Sequence, residues 1–179
     1  MRSVFILILL GFVLFSIALI ARSGLFRRKN PGEPANKYMR EMMNTPLSPQ
    51  LSAAEAAVID TKYATAHVMT SGLRYIVRAP GDGGARPQRG QEVTAHYEGR
   101  LLLDGVKFDS SYDQDRPFTF HVGTHEVIPG WDLAFLDMTK GEKRTLIIPW
   151  WLAYGEMGRP PTIPPRASLV FDVELVDFR

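Results

Sequence analysis

Beyond Gly72 the chain alternates between apolar and polar positions. Leu73, Tyr75 and Val77 are interleaved with Arg74, Ile76 and Arg78, and Val93, Ala95 and Tyr97 with Thr94, His96 and Glu98. Phe118, Phe120 and Val122 enclose Thr119 and His121. Leu169, Phe171, Val173 and Leu175 alternate with Ser168, Val170, Asp172 and Glu174, and Thr145 to Ile148 makes a fifth short run. A period of two places one set of side chains on one face of a strand, so about five strands are predicted around one core. Stretches bearing Gly and Pro at 80–90, 104–106 and 158–165 separate them. One segment has helical spacing instead. Trp131, Phe135 and Met138 recur at i, i+4 and i+7, with Pro129 near the start and Gly141 where a C′ residue would stand. Many antiparallel strands with one helix predict an α+β domain over residues 72–179, the helix lying across one face of the sheet.

The start of the chain has a different pattern. Val4 to Ala21 is 18 residues without a charge, a helix of about 27 Å, enough to cross a bilayer core. A cleavable signal peptide is the rival reading, since Arg2 gives a charged start and Ser16-Ile17-Ala18 a small-x-small arrangement. The apolar run continues through Leu19, Ile20 and Ala21, which is long for a signal core and favours an uncleaved anchor. Counting Arg22, Arg27, Arg28 and Lys29 after the span favours a cytoplasmic domain. A short N-terminal anchor with a positive start generally exports the domain behind it, and export is the expectation adopted. Residues 1–29 therefore read as membrane segment with basic flank, and 30–71 as a spacer. In that spacer Ser52-Ala53-Ala54-Glu55 has the form of a capping box opening a short helix.

Charge adds to this division. Residues 1–41 hold seven Lys and Arg against two Glu, a balance of +5 that leaves −3 for the rest of a chain of net charge +2. A basic segment beside an apolar run reads as a membrane flank, not as a nucleic-acid surface. The chain has no cysteine, which excludes disulfides, thiol catalysis and Cys-based metal sites. His121 and His125 are four apart in a strand and the turn after it, where that spacing does not bring side chains together, so no metal is expected.

Val93-Thr94-Ala95-His96-Tyr97-Glu98-Gly99, followed by Gly105-x-Lys107-Phe108-Asp109-Ser110-Ser111, resembles the FKBP-type peptidyl-prolyl cis-trans isomerases. The resemblance continues through Pro117-Phe118-x-Phe120 and Glu126-Val127-Ile128-Pro129-Gly130-Trp131. It ends with Leu152-Ala153-Tyr154-Gly155, Ile163-Pro164-Pro165 and Leu169 to Leu175. Each block alone is weak, and their shared order and spacing are specific. Thr70-Ser71-Gly72-Leu73-x-Tyr75 also looks like the opening of bacterial members, which implies an anchor in a bacterial inner membrane.

The resemblance implies a curved antiparallel sheet wrapped around one short helix, with the pocket between them. It implies an aromatic pocket of Tyr97, Phe108, Phe118, Trp131, Tyr154 and Phe171, with Val127 and Ile128 on its rim. Trp131 would lie beneath the proline ring, Asp109 would be the pocket carboxylate, and Ile163 a loop residue over the site. Tyr97, Asp109, Trp131, Tyr154 and Phe171 are thus the candidate catalytic residues. Phe108, Phe118, Val127, Ile128 and Ile163 are the candidate substrate contacts. Without the resemblance, Tyr97, Trp131 and Phe171 would read as core, as Phe120 does, and Asp109 as an Asx-turn residue.

The implied activity needs no cofactor, because rotation about an amide breaks no bond to carbon. The implied partners are proline-containing polypeptides, exported or membrane-associated, with a macrolide as a candidate ligand. Three features depart from the family pattern. Gln114 stands where many members carry a base, leaving Arg116 as the nearest partner for Asp109; Arg159 replaces a frequent histidine, and Thr162 a frequent aliphatic residue. Trp150-Trp151 is also unusual, and reads either as packed beneath the spacer or as an exposed patch. The spacer and this tryptophan pair motivate an alternative function: a non-catalytic client-binding chaperone or an accessory subunit of a membrane complex.

Overall fold

The structure, a computed structural model, describes residues 50–179. The membrane segment at 4–21, its basic flank and spacer residues 30–49 lie outside the described residues. Among those described, no helix is long and apolar enough to cross a membrane. Residues Ser48–Arg179 form one compact unit.

Its elements are α1 (Ala53–Lys62), β1 (His67–Val68), β2 (Arg74–Ala79), β3 (Glu92–Leu101), β4 (Lys107–Ser110), β5 (Phe118–His121), α2 (Pro129–Phe135), β6 (Lys143–Ile148) and β7 (Leu169–Phe178). A single 3-10 turn, Trp150–Leu152, follows β6. All strand pairings are antiparallel, in the order β1-β2-β6-β7-β3-β4, with β5 pairing β3 beside β4. The sheet thus has seven strands where the alternation predicts about five. β1 is two exposed residues, and β4 has one apolar residue in four, so neither carries a periodic signal.

The long strands behave as their period requires. Val93, Ala95, Tyr97 and Gly99 of β3 are buried, as are Leu169, Phe171, Val173 and Leu175 of β7. They face Trp131, Ala134, Phe135 and Met138 in the main core. Val77, expected inward, is 42% exposed where the pairing of β2 with β6 shifts between Val77 and Ala79. The helix is shorter than the i, i+4, i+7 spacing suggests. It ends at Phe135 with Leu136 as its cap, and Met138 is buried beyond it. Gly141 is therefore no C′ residue. With φ +80 it turns the chain into β6, and its N–H donates to Leu175 O at 2.7 Å.

β6 is buried on both faces from Arg144 to Ile148, because its second face is covered too. Ile59 of α1 packs with Leu102, Ile147 and Val170 there, joined by Leu51, Val58, Tyr63 and Ala66. The capping box read from the sequence is present: Ser52 Oγ accepts from Glu55 N, and Glu55 accepts from Ser52 N. Glu55 Oε1 also accepts from Ser168 N at 3.1 Å, which ties α1 to the segment leading into β7. The tryptophan pair belongs to the same contact. Trp150 Nε1 donates to Gln50 O and Trp151 Nε1 to Ser71 O. Both rings are partly buried, so the packed reading holds and the exposed-patch reading falls.

Candidate active site

The site is built on α2 and the strands facing it. Pro129 sits in the first turn of α2, fixing φ where no N–H is needed, and Trp131 follows on the inner face. Gly130 lets the helix approach β6: a Cβ there would lie 2.5 Å from Ile148 Cγ2. Trp131 is 4% exposed and sits at the centre of a ring of aromatics. Its centroid is 5.0 Å from Tyr97, 5.3 Å from Phe171 and 6.1 Å from Phe118, all nearly edge-to-face. Phe120 and Phe135 close it from below at 5.7 and 5.4 Å. Phe108 reaches the cluster through Phe171, at 5.5 Å. Phe118 is exposed, whereas Tyr97 and Phe171 are buried, so the group is open on the Phe118 side.

Polar groups stand at one edge. Tyr97 Oη donates to Asp109 Oδ2 at 2.7 Å, and Asp109 Oδ1 accepts from Ser110 N at 2.9 Å. Burial, the hydrogen bond to Asp109 and its negative charge together push the Tyr97 phenol far above its ordinary value. It remains a donor across the physiological range. Arg116 forms no ion pair with Asp109; its N–H donates to Ser111 O, and the carboxylate is held by Tyr97 and Ser110 instead. Ser111 Oγ accepts from Tyr97 N at 2.9 Å and so fixes the strand from which the phenol extends.

Tyr154, Val127 and Ile128 are half-buried against the same cluster, and Ile163 is 2% exposed within it. Ile163 is therefore a packed anchor of its loop. It pairs with Arg159, whose N–H donates to Ile163 O at 2.8 Å while Ile163 N donates to Arg159 O at 2.9 Å. Ile128 O accepts from Trp131 N and Asp132 N, whereas among the described residues its own N–H has no acceptor. The Trp131 indole N–H is likewise buried without an acceptor.

Sequence pattern gave no sign of Asp132. It is 6% exposed, and its two oxygens accept from Gly123 N at 2.7 Å and His125 N at 3.1 Å. This carboxylate, in the first turn of α2, holds the loop that carries Val127 and Ile128. In the sequence, Gly99 stands out only as a motif position. A Cβ there would lie 2.6 Å from Phe171 and 2.7 Å from Phe108, so its bare backbone makes room for both rings. His121 is engaged by Glu126, at 3.0 Å. The cavity of about 130 Å³ lined by Lys62, Arg78, Arg100 and Asp172 lies on the other face of the sheet, beside the end of α1.

A family model described as FKBP-type peptidyl-prolyl cis-trans isomerase matches residues 83–176. The peptidyl-prolyl cis-trans isomerase Fkbp12 of Drosophila melanogaster is 48% identical over 105 residues, covering 59% of this chain and 96% of the fly protein. The peptidyl-prolyl cis-trans isomerase FPR2 of Saccharomyces cerevisiae is 54% identical over 90 residues, 50% of this chain and 67% of the yeast protein. FK506-binding protein 1 of the same yeast is 49% identical over 98 residues, 55% of this chain and 85% of that protein. The crystal structure of AtFKBP13 superposes with a TM-score of 0.60 at 40% identity, covering 64% of this chain and 98% of that one. Fly and yeast relatives lend no support to the bacterial affinity expected from Thr70 to Tyr75, a segment that precedes the residues the family model matches.

Proposed function

The chain belongs to the FKBP-type peptidyl-prolyl cis-trans isomerase family, and from that premise we propose how its own residues turn the amide before proline. The barrier to overcome is about 18–20 kcal/mol and arises from amide resonance. Uncatalysed exchange of X-Pro bonds takes tens to hundreds of seconds. The enzyme has only to hold the twisted amide better than either planar form, and a ten-thousandfold acceleration needs about 5.5 kcal/mol of such preference.

The observation that carries the reading is the Trp131 floor within the edges of Tyr97, Phe118 and Phe171, open beside an exposed Phe118. A proline ring set on the indole takes its amide out of water. The twisted amide, having lost its charge-separated resonance form, loses less by that transfer than the planar one. The unpartnered Ile128 N–H takes the carbonyl on the proline side, and the Tyr154 hydroxyl lies near the carbonyl that turns. Asp109, bound by Tyr97, orients the phenol and transfers no proton.

The test is a protease-coupled or NMR exchange assay on Leu-Pro peptides. Trp131→Leu is expected to lower kcat/KM at least about tenfold, equivalent to the loss of about 1.4 kcal/mol in the transition state. Undiminished turnover in that variant sinks the assignment of the floor. Relatives named for FK506 suggest a further readout: that macrolide should compete with the peptide for the same aromatic floor.

Residues 4–21 support a membrane-anchored placement with the domain exported, its clients being exported or membrane-associated chains. Mass spectrometry of the mature N-terminus decides between anchor and signal, and a topology reporter after Arg179 decides the side. With Trp150 and Trp151 bonded to Gln50 and Ser71, the accessory-subunit alternative keeps only the spacer as its motive.

A further inference from the structure

Arg159 stands at the edge of the aromatic cluster. Its guanidinium carbon lies 6.0 Å from the centre of the Tyr154 ring, and the backbone beneath it is clamped by its paired bonds to the buried Ile163. Its charge is felt by the Tyr97 phenol, where it opposes the upward push of burial and Asp109. Among the described residues no carboxylate pairs with it. The neighbouring Arg166 is taken by Glu156 at 2.7 Å, and Glu126 by His121 at 3.0 Å. Asp109 is already bound by Tyr97 and Ser110. The mouth of the site, otherwise Phe118, Val127, Ile128 and Tyr154, thus carries one exposed, uncompensated cation on the Tyr154 side.

The proposed pose gives that side a meaning. With the proline ring on Trp131 and the following carbonyl on Ile128 N–H, the residue before proline falls beside Tyr154. We infer that Arg159 favours substrates in which that residue carries a carboxylate, so that Glu-Pro and Asp-Pro bonds turn faster than their uncharged Gln-Pro and Asn-Pro counterparts. This rests on the isomerase reading of the same site and adds its substrate class. Attraction between unit charges at a half-exposed rim in water changes kcat/KM by about three- to tenfold, and salt screens it.

The experiment compares kcat/KM of the full chain on peptides identical except for Glu, Gln, Lys or Leu before proline. Ratios within one preparation do not depend on how much of a variant folds. Glu-Pro is expected to exceed Gln-Pro by about three- to tenfold and Lys-Pro to fall below it, with the spread closing in about 1 M salt. Arg159→Gln brings the Glu/Gln ratio to about one, and Arg159→Glu inverts the order of Glu and Lys. A wild-type ratio of one alongside Leu-Pro turnover overturns this inference and leaves the isomerase reading standing. Absence of Leu-Pro turnover defeats the isomerase reading instead. A ratio that survives in Arg159→Gln also overturns the inference, because the preference then comes from another residue.

Discussion

Individual side chains in this site act through what their neighbours permit. The Tyr97 hydroxyl has one partner, Asp109, in surroundings that disfavour its anion. A phenol whose folded value is raised contributes stability that is fully present below its ordinary value of about 10 and is lost as pH rises through the folded value. Tyr97→Phe keeps the ring, and should remove about 1 kcal/mol of stability at pH 7 while weakening the alkaline decline above pH ~10. Denaturant midpoints measured at neutral pH and above pH ~10 check both parts, and an unchanged alkaline decline shows that the phenol is not buried as described. Gly99 is a converse case, in which the missing atom matters. A methyl group 2.6 Å from Phe171 and 2.7 Å from Phe108 must displace both rings. Gly99→Ala is therefore expected to cost about 1–3 kcal/mol by overpacking and to raise KM for proline peptides more than it lowers kcat. A KM equal to that of the unaltered chain, from full kinetic curves, removes Phe108 and Phe171 from the binding surface.

Among elements, α1 depends most on one carboxylate. Glu55 accepts from Ser52 N, Ser52 Oγ and Ser168 N at 2.9, 2.8 and 3.1 Å. Burial opposes its charge, but the hydrogen bonds from Ser168 and Ser52 outweigh that and hold it below the ordinary carboxylate value. A depressed value means stability that is present above about pH 4.3 and lost as pH falls through the folded value. Glu55→Gln should lose about 1.5–3 kcal/mol at pH 7 and show a shallower acid decline. Equal losses at pH 7 and pH 3 would contradict an ionised Glu55. The sequence showed half of this device. Ser52-x-x-Glu55 is local and therefore legible, whereas Ser168 lies 113 residues away, and no periodicity marks it. The strands divide in the same way. β3 and β7 alternate over ten residues each and are legible from that alternation, but β4 presents Phe108 among polar neighbours and is recognisable only by its pairing with β3. Asp132 escaped notice because its partners are backbone N–H groups of a loop, which any residue can supply. The aromatic members of the site were legible only through family resemblance, since an inward Tyr or Phe of a strand looks the same whether it lines a core or a pocket.

At the scale of the molecule, the sheet keeps its two faces apart. One face carries Trp131 and the site, and the other carries α1 over Leu102, Ile147 and Val170. The family match begins at residue 83, yet the compact unit begins at Ser48, so the segment between them belongs to the fold of this chain. This can be tested by shortening. A chain starting at residue 50 keeps every contact α1 makes among the described residues and should unfold as the longer protein does. One starting at residue 72 loses Ile59 and leaves Ile147 and Val170 uncovered. It also loses the acceptors of the Trp150 and Trp151 indoles and the carboxylate that Ser168 N requires. Burial of one large aliphatic side chain is worth about 1.5–3 kcal/mol and each of the three hydrogen bonds about 1, so the shorter chain should be less stable by about 4.5–6 kcal/mol. Its folded fraction should still turn Leu-Pro peptides, because of the residues removed only Met69 packs against the core cluster of Trp131, and none is a member of the aromatic site. Urea midpoints that coincide for the two lengths would show that α1 rests on the sheet without stabilising it. A loss of turnover larger than the loss of folded protein would show that the two faces are coupled through β6 and β7.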